Sequence, residues 1–418
     1  MNKVLGLLVS SLAVVAVACS DSDAPKDVSK NTNVNGVLGT AAEITFTPSQ
    51  QQTNEYQGEF AFKVIKNLNE LTLNEGLDQN FAVSPFSAYS MLSLYANSLT
   101  GESQKAFTDM LGQSSIDALN EYNSLLMERL PAVDPEMVKF KQGYAVWLNS
   151  EFSPRNVENF SSVVDEYYSA PVCLTSFKSD NVMQKVKAWV MDITDGAFKG
   201  FLPKYPAEKS MISHCLLFEG KWYMTFDKSD TKPEPFYNEK GEQIANVPTM
   251  CGSQLVTEAE TEKANIYKLY YGNGGFSLKL LLPKQNVTLD EAVASIDYQT
   301  WKNAWSEAEN SDSKRERKVY LPKLSVNVGS RMEEALERMG MKHETLESDL
   351  FGSADLDVFQ SGDFSLDENG SVMTVATGEF IVISPGHTTD INLNRPFAMY
   401  LEEESTGVIL LFAKIFKP

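Results

Sequence analysis

Residues 367–385 read Asp367-Glu368-Asn369-Gly370-Ser371-Val372-Met373-Thr374-Val375-Ala376-Thr377-Gly378-Glu379-Phe380-Ile381-Val382-Ile383-Ser384-Pro385. A polar turn broken by Gly370 gives way to a run rich in β-branched and apolar residues, and the chain then turns polar as far as Asn394-Arg395-Pro396-Phe397. By pattern alone this is a strand or an aggregation-prone loop, because an uncharged, proline-free run pairs readily with an open sheet edge. Neither Arg nor Lys occurs from Gly370 through His387.

Around this stretch lie 418 residues with 36 basic against 56 acidic side chains, a formal charge of −20 and 43% apolar content. That is enough apolar surface to bury a core, and it excludes disordered, collagen-like and coiled-coil classes. The acidic excess argues against nucleic acid, whose phosphates require a basic surface. With no basic helix face, no heparin-type cofactor is expected, and no other cofactor is indicated.

At the amino end, Lys3 precedes an apolar run that closes on Ala16-Val17-Ala18 before Cys19. The run is too short to span a bilayer and reads as a signal peptide. It resembles a bacterial lipoprotein signal, which implies cleavage before Cys19 and acylation of that residue, with ordinary cleavage near Cys19 as the alternative. Ser20-Asp21-Ser22-Asp23 resembles the acidic export tag of Bacteroidetes surface lipoproteins, or is a solvated linker. Residues 20–55 are poor in large apolar side chains and cannot repay the entropy of ordering. The expected organisation is a signal peptide at 1–18, a lipidated flexible tether at 19–55 and a single domain at 56–418. A secreted lipoprotein at the outer membrane or cell surface follows, with the periplasmic side as the alternative. Cys173, Cys215 and Cys251 lack Cys-x-x-Cys spacing and neighbouring histidines, so they read as small buried apolar residues.

Phe60, Val64, Ile65 and Leu68 recur at helical spacing. Ser84-Pro85 is a helix start, and Val182, Val186, Trp189, Val190 and Ile193 mark a further amphipathic helix that Gly196 can end. Thr288 with Glu291 and Ser330 with Glu333 have capping-box spacing. Strand signals concentrate later, in 276–282, 318–328 and 408–416. Helices first and strands afterwards argue for an α+β fold with large, mainly antiparallel sheets.

Catalytic constellations are missing. The three histidines, His214, His343 and His387, lie outside any His-Glu-x-x-His, and there is neither a Gly-x-Ser-x-Gly elbow nor a Gly-x-x-x-x-Gly-Lys loop. Glu402-Glu403-Glu404 reads as a solvated strand end or turn, and Asp355 with Asp357 as a loop. Carboxylate pairs drawn from distant segments leave no local signature, so a surface enzyme with dispersed carboxylates stands as a third functional class.

Residues 367–377 resemble the hinge of the serpins, in which an acidic pair, Gly, Thr or Ser and a small-residue run precede a reactive loop. Other segments agree in order across 56–418. Asn80-Phe-Ala-Val-Ser-Pro-Phe-Ser87 resembles the family's Asn-x-x-x-Ser-Pro-x-Ser signature, and Phe218-Glu-Gly-Lys-Trp222 with Phe226 its Phe-x-Gly-x-Trp…Phe segment. Leu321-Pro-Lys-Leu324, Asn394-Arg-Pro-Phe397 and the terminal Leu411–Pro418 resemble later strands. The resemblance implies a serpin fold with about eight to nine helices and an exposed reactive loop at about 368–393.

It also implies a non-enzymatic, irreversible suicide-substrate inhibitor of serine proteases. The protease forms an acyl-enzyme with a loop bond, and the freed loop then inserts into the central sheet from a kinetically trapped native state. The expected hinge comprises Glu368, Gly370, Ser371, Val372, Met373, Thr374, Val375, Ala376 and Thr377, with Ser371, Met373, Val375 and Thr377 facing inward, all uncharged and none of them proline. Met373 is larger than the family's usual residue there, and it and an inward Glu379 bear on insertion rate. Counting from Gly370 places the specificity residue at Ser384. Pro385 disfavours that bond, so Ile383–Ser384 is expected, with Ser384–Pro385, Pro385–Gly386 and Phe380–Ile381 as alternatives. An aliphatic Ile383 suits elastase-like proteases of a host or of competing microbes, and cysteine proteases are a second candidate class. The inhibitor is expected to be monomeric. A non-inhibitory serpin acting as a binding or folding-assistance module is the alternative.

Two departures from the family carry information. Where most serpins place an asparagine in the central strand, this chain has His214, and where they place a histidine on the neighbouring strand it has Gln360. The exchange implies a histidine–amide hydrogen bond, with Ser84 and Ser87 nearby. Glu368 and Lys323 match positions that form an ion pair in some serpins, next to Trp222, and losing one partner should loosen the sheet top.

Overall fold

The computed structural model describes residues 38–74, 79–113, 115–178, 181–198, 210–311, 313–329, 332–341, 346–354, 358, 360–373 and 390–418. Nine α-helices occur among them. In the first half these are α1 (Pro48–Asn74), α2 (Pro85–Ala96), α3 (Gly101–Met110), α4 (Ile116–Arg129), α5 (Val157–Tyr168) and α6 (Asn181–Ile193). Later come α7 (Leu289–Ala294), α8 (Tyr298–Glu309) and α9 (Met332–Arg338). The strands begin with β1 (Phe81–Val83), β2 (Val138–Asn149), β3 (Val172–Thr175) and β4 (Met211–Lys221). They continue with β5 (Lys232–Tyr237), β6 (Gln243–Glu260), β7 (Ala264–Tyr271), β8 (Phe276–Pro283), β9 (Lys314–Pro322) and β10 (Leu324–Val328). The last are β11 (Leu346–Ser348), β12 (Gly352–Ala354), β13 (Gly362–Asp367), β14 (Gly370–Met373), β15 (Ile391–Asn392), β16 (Phe397–Glu403) and β17 (Val408–Ile415).

Two large sheets organise the chain. One runs β1-β17-β16-β8-β7-β6-β9-β15, with β5 paired to β6, and the other runs β10-β13-β14-β4-β2-β3. Their ladders are antiparallel except β2 with β3 and β9 with β15. Helix α2 packs against both β17 and β4 and is buried on nearly every side. It starts where Ser84-Pro85 places it: the Ser84 hydroxyl accepts the Ser87 N–H at 3.1 Å, and Pro85 takes the first turn. Thr288 and Glu291 form the reciprocal capping box of α7. Asn80 binds the far end of the chain, its side-chain carbonyl accepting the N–H groups of Phe416 and Lys417.

Four sequence expectations need correction. Helix α1 begins at Pro48, ahead of Tyr56, and Ile44 is already a core residue at 6% exposure, so packing starts inside the segment read as tether. Residues 318–328 are not one strand. The chain breaks at Lys323 and passes from β9 in one sheet to β10 in the other. The three cysteines are free and half-buried rather than buried, and burial pushes the Cys215 thiol up to about 12.

The fourth correction concerns Glu402-Glu403-Glu404, which is not a solvated turn. Glu402 and Glu403 are buried, and Glu404 lies against Lys268 at 2.5 Å and Lys279 at 3.2 Å. Lys279 also pairs with Glu402, whose other oxygen accepts the Trp301 indole N–H at 3.1 Å. Lys268 and Lys279 lie 4.8 and 4.6 Å from the Trp305 ring centroid. Two lysines and two glutamates thus pair between α8 and strands β7, β8 and β16, and the exposed Glu309 carboxylate adds a contact to Lys268 at 3.6 Å. Burial raises both carboxyls, and the two lysines outweigh it at Glu404, which they hold below the ordinary range, while Glu402 stays above it. Glu403 accepts the N–H and hydroxyl groups of Ser405 and Thr406 and so closes the β16–β17 turn.

Removing one buried partner strands the others. Lys279→Met should cost about 3–5 kcal/mol in urea unfolding. Lys63→Met, which breaks the surface Lys63–Glu59 pair with side chains 61% and 49% exposed, should leave the midpoint nearly unchanged. Equal losses for the two variants would contradict this account of the cluster.

Candidate functional site

The turn Asp367–Gly370 folds β13 back on β14, with the Asp367 carboxylate accepting the Asn369 N–H at 2.8 Å. Strand β14 pairs on its other side with β4, Gly370 opposite Lys221 and Met373 opposite Phe218. The approach is too close for a side chain: a Cβ on Gly370 would lie 1.9 Å from the Gly220 carbonyl oxygen and 2.8 Å from Lys221 Cα. Gly370 is therefore demanded by backbone proximity. Among the described residues no ladder joins β13 directly to β4, and β14 alone bridges them. Ser371 is buried and its hydroxyl meets that of Tyr271, whose ring stacks on Trp222 at 4.6 Å and 14°. Burial raises the Tyr271 phenol, which stays protonated and available as a donor. Tyr271 and Gly220 were missed from the sequence, although a lone glycine inside the Phe218–Trp222 strand segment signals a close approach.

Above this strand, Glu368 is 3% exposed and meets Lys323 Nζ at 2.8 and 3.1 Å. It also accepts the Thr231 hydroxyl at 2.8 Å. Burial would raise the carboxyl, but Lys323, the backbone and Thr231 outweigh it and hold it below its ordinary value. The Trp222 indole donates to the Asp367 carbonyl at 2.8 Å, its backbone N–H to that of Asn369 at 2.9 Å, and the Phe226 N–H to that of Glu368 at 3.0 Å. The break between β9 and β10 thus places Lys323 where it can reach the hinge turn.

Lower in the sheet, His214 and Gln360 do not touch each other, contrary to the expected direct bond. The Gln360 amide clamps the Ser84 backbone, accepting its N–H at 3.0 Å and donating to its carbonyl at 2.8 Å. His214 Nδ1 lies 2.8 Å from the Ser87 hydroxyl and Nε2 3.2 Å from Gln142 Oε1. The first turn of α2 stands between them, with Ser84 Oγ also donating to the Leu410 carbonyl at 2.6 Å. In the neutral ring, Nε2 donates to the Gln142 oxygen and Nδ1 accepts from the Ser87 hydroxyl. Burial lowers the His214 pKa to about 3.

Thr374, Val375, Ala376 and Thr377 of the hinge, Glu379, the Ile383–Ser384 bond, Cys19, Asp355 with Asp357, His343 and His387 lie outside the described residues, as do the side chains of Val372 and Met373. Among the described residues no cluster of His, Cys, Asp or Glu is placed to hold a metal ion, and no helix is long and apolar enough to cross a membrane.

Two measurements check this geometry. A carboxyl held low stabilises the fold above its unfolded pKa, and the effect is lost as pH falls through the folded value. Lys323→Ala should therefore cost about 1–3 kcal/mol at neutral pH, with the gap to the parent closing as pH falls through the folded pKa of Glu368. A gap independent of pH would contradict the ion pair. His214 has the opposite charge balance: its folded pKa lies below the unfolded value near 6.5, so its neutral form stabilises above that pH and the effect erodes on acidification. His214→Gln should abolish a loss of about 2 kcal/mol between pH 7 and pH 5 in the parent, and an unchanged pH dependence would refute the neutral-imidazole assignment.

The family model for Serpin (serine protease inhibitor) matches residues 55–418. Serpin A12 of Mus musculus is 24% identical over 99% of this chain and 98% of its own length. A serine protease inhibitor of Cyanea capillata is 24% identical over 82% of this chain and 93% of its own. The solved native state of the thermophilic serpin tengpin superposes with a TM-score of 0.73 at 22% identity, covering 91% of this chain and 97% of that one. The family holds inhibitory and non-inhibitory members, and its members are generally protease inhibitors rather than catalysts. Residues 368–373, expected within an exposed loop, instead form a buried turn and a strand paired on both sides, while α2 starts at Ser84-Pro85 as expected, and with the family model covering 55–418 the chain belongs to the serpin family.

Proposed function

We propose that this serpin is a single-use inhibitor of serine proteases with apolar, elastase-like specificity. The observation that carries the reading is the two-sided pairing of Gly370–Met373, which leaves an opened lane between β13 and β4 for the residues that follow. In the proposed reaction the protease serine hydroxyl adds to the Ile383 carbonyl and the Ile383–Ser384 amide bond breaks. Ser384 leaves as a free amine with the proton, and Ile383 stays esterified to the protease. Residues after Met373 then continue β14 as a full strand, adding backbone hydrogen bonds on both sides and carrying the protease with them.

The register makes the hinge requirement specific. Continued along the β4 and β13 ladders, Thr377 comes opposite both His214 and Gln360, and it shares the inward face of Ser371. The uncharged side chains expected at the inward positions from Ser371 to Thr377 fit that path, because a charge there would be buried without a partner, and Glu379 is the first inward charge the strand would meet. Acylation of Cys19 would hold the inhibitor on the outer membrane or cell surface as a monomer, facing proteases of a host or of competing microbes.

The test mixes the 20–418 chain with an elastase-type protease and follows denaturing electrophoresis with intact-mass analysis. A complex that survives boiling, with a released peptide beginning at Ser384, is expected. Thr377→Arg should be cleaved at the same bond and yield little or no complex. Complete cleavage of the parent chain without a complex would overturn inhibition and favour the non-inhibitory binding module.

A further inference from the structure

Residues Leu38–Phe46 cross the body as an extended strap whose contacts have no part in the inhibitory reading. The Gly39 N–H donates to the Asn273 carbonyl at 2.8 Å, the Ala42 N–H to the Val133 carbonyl at 2.8 Å and the Ile44 N–H to the Ser405 hydroxyl at 2.9 Å. Ile44 enters the core, and the Phe46 ring meets that of Tyr122 at 5.7 Å. The seat is shaped for the strap. A Cβ on Gly274 would lie 2.6 Å from Leu38 Cδ1, and one on Gly275 would lie 2.8 Å from Ala41 Cβ and 2.3 Å from Val133 Cγ1. Gly275 does not occupy the left-handed backbone region, so packing under the strap and Val133, and not backbone conformation, excludes a side chain there.

This seat is the β7–β8 turn, and the turn is tied to the hinge. The Gly272 N–H donates to the Lys221 carbonyl at 2.8 Å, and Lys221 is the residue opposite Gly370. Tyr271, immediately before the turn, stacks on Trp222 and meets the Ser371 hydroxyl. Asp134 fixes the turn from beneath, accepting the Asn273 N–H at 2.6 Å.

We propose that Leu38–Phe46 is a lock: seated over Gly274-Gly275, it holds the β7–β8 turn and, through Lys221 and Tyr271, keeps Gly370–Met373 in its native pairing. This rests on reading β14 as the hinge, and the test is chosen to be independent of protease trapping. Amide hydrogen exchange is followed on the full chain and on the full-chain variants Ala42→Pro, which removes the donor to Val133, and Ile44→Asp, which expels the buried anchor. The Trp222 and Gly272 amides should exchange at least ~10-fold faster in both variants, with α5, which the strap does not contact through any of these bonds, unchanged. Excess synthetic peptide of residues 38–46 should restore protection.

A rise confined to the strap and residues 272–275, with Trp222 unaffected, would overturn the lock. If either variant also loosens α5, Leu38→Gly decides, because it removes the side chain seated over Gly274 and leaves the Ala42 and Ile44 bonds in place. Faster Trp222 exchange in that variant supports the lock, and unchanged exchange refutes it. A chain that shows the exchange effect but traps no protease would refute the inhibitory reading alone.

Discussion

The structure turns on a six-stranded sheet in which, among the described residues, β13 and β4 are joined only through β14. Four residues, Gly370–Met373, bridge β13 and β4, and among the described residues no backbone ladder joins those strands below them. Backbone N–H and C=O groups strongly favour pairing, so a sheet with an open lane has a lower free-energy state available to it. The backbones approach so closely at Gly370 and Gly220 that no side chain fits at Gly370, and the first residues of the lane are filled in the native fold.

The restraints around the lane differ in kind from those in the rest of the molecule. Glu368 with Lys323 and Thr231 caps its upper end, while the clamps on Ser84 and Ser87 hold its lower end from opposite sides of α2. Ser84 is also bonded to β17, so α2 belongs mechanically to the nine-stranded sheet, and the Ser87–His214 contact links that body to β4. Single hydrogen bonds of this sort contribute about 1 kcal/mol each and exchange readily. The β7–β8–β16–α8 layer, by contrast, pairs two buried lysines with Glu402 and Glu404 under Trp301 and Trp305, and removing either lysine strands a carboxylate. A rigid body carrying a lightly latched sheet suits a state that is kept by a barrier.

Much of this was legible in the sequence, because the decisive features are local. The Asp-Glu-Asn-Gly turn, the Ser84-Pro85 helix start and the Thr288–Glu291 box each lie within a few residues, and the structure shows the turn, the cap and the box in those places. What escaped was set by distant partners. Glu402-Glu403-Glu404 looks solvated until Lys279 arrives from the adjacent β8 and Lys268 from β7 beyond it. His214 and Gln360 look like a direct pair until the first turn of α2 comes between them. The strap lies in a segment, residues 20–55, that is poor in large apolar side chains, and three anchors, Leu38, Ile44 and Phe46, seat it where two glycines leave room.

The central claim is that the native sheet is held short of its most stable arrangement, and thermal unfolding of the chain before and after a single cut within residues 374–389, made by a protease that is not trapped, tests it most directly. The account predicts that the cut chain, free to complete β14 as a full strand, melts higher by on the order of 10 °C or more. A cut chain that melts at the same temperature as the intact one, or below it, would contradict the account.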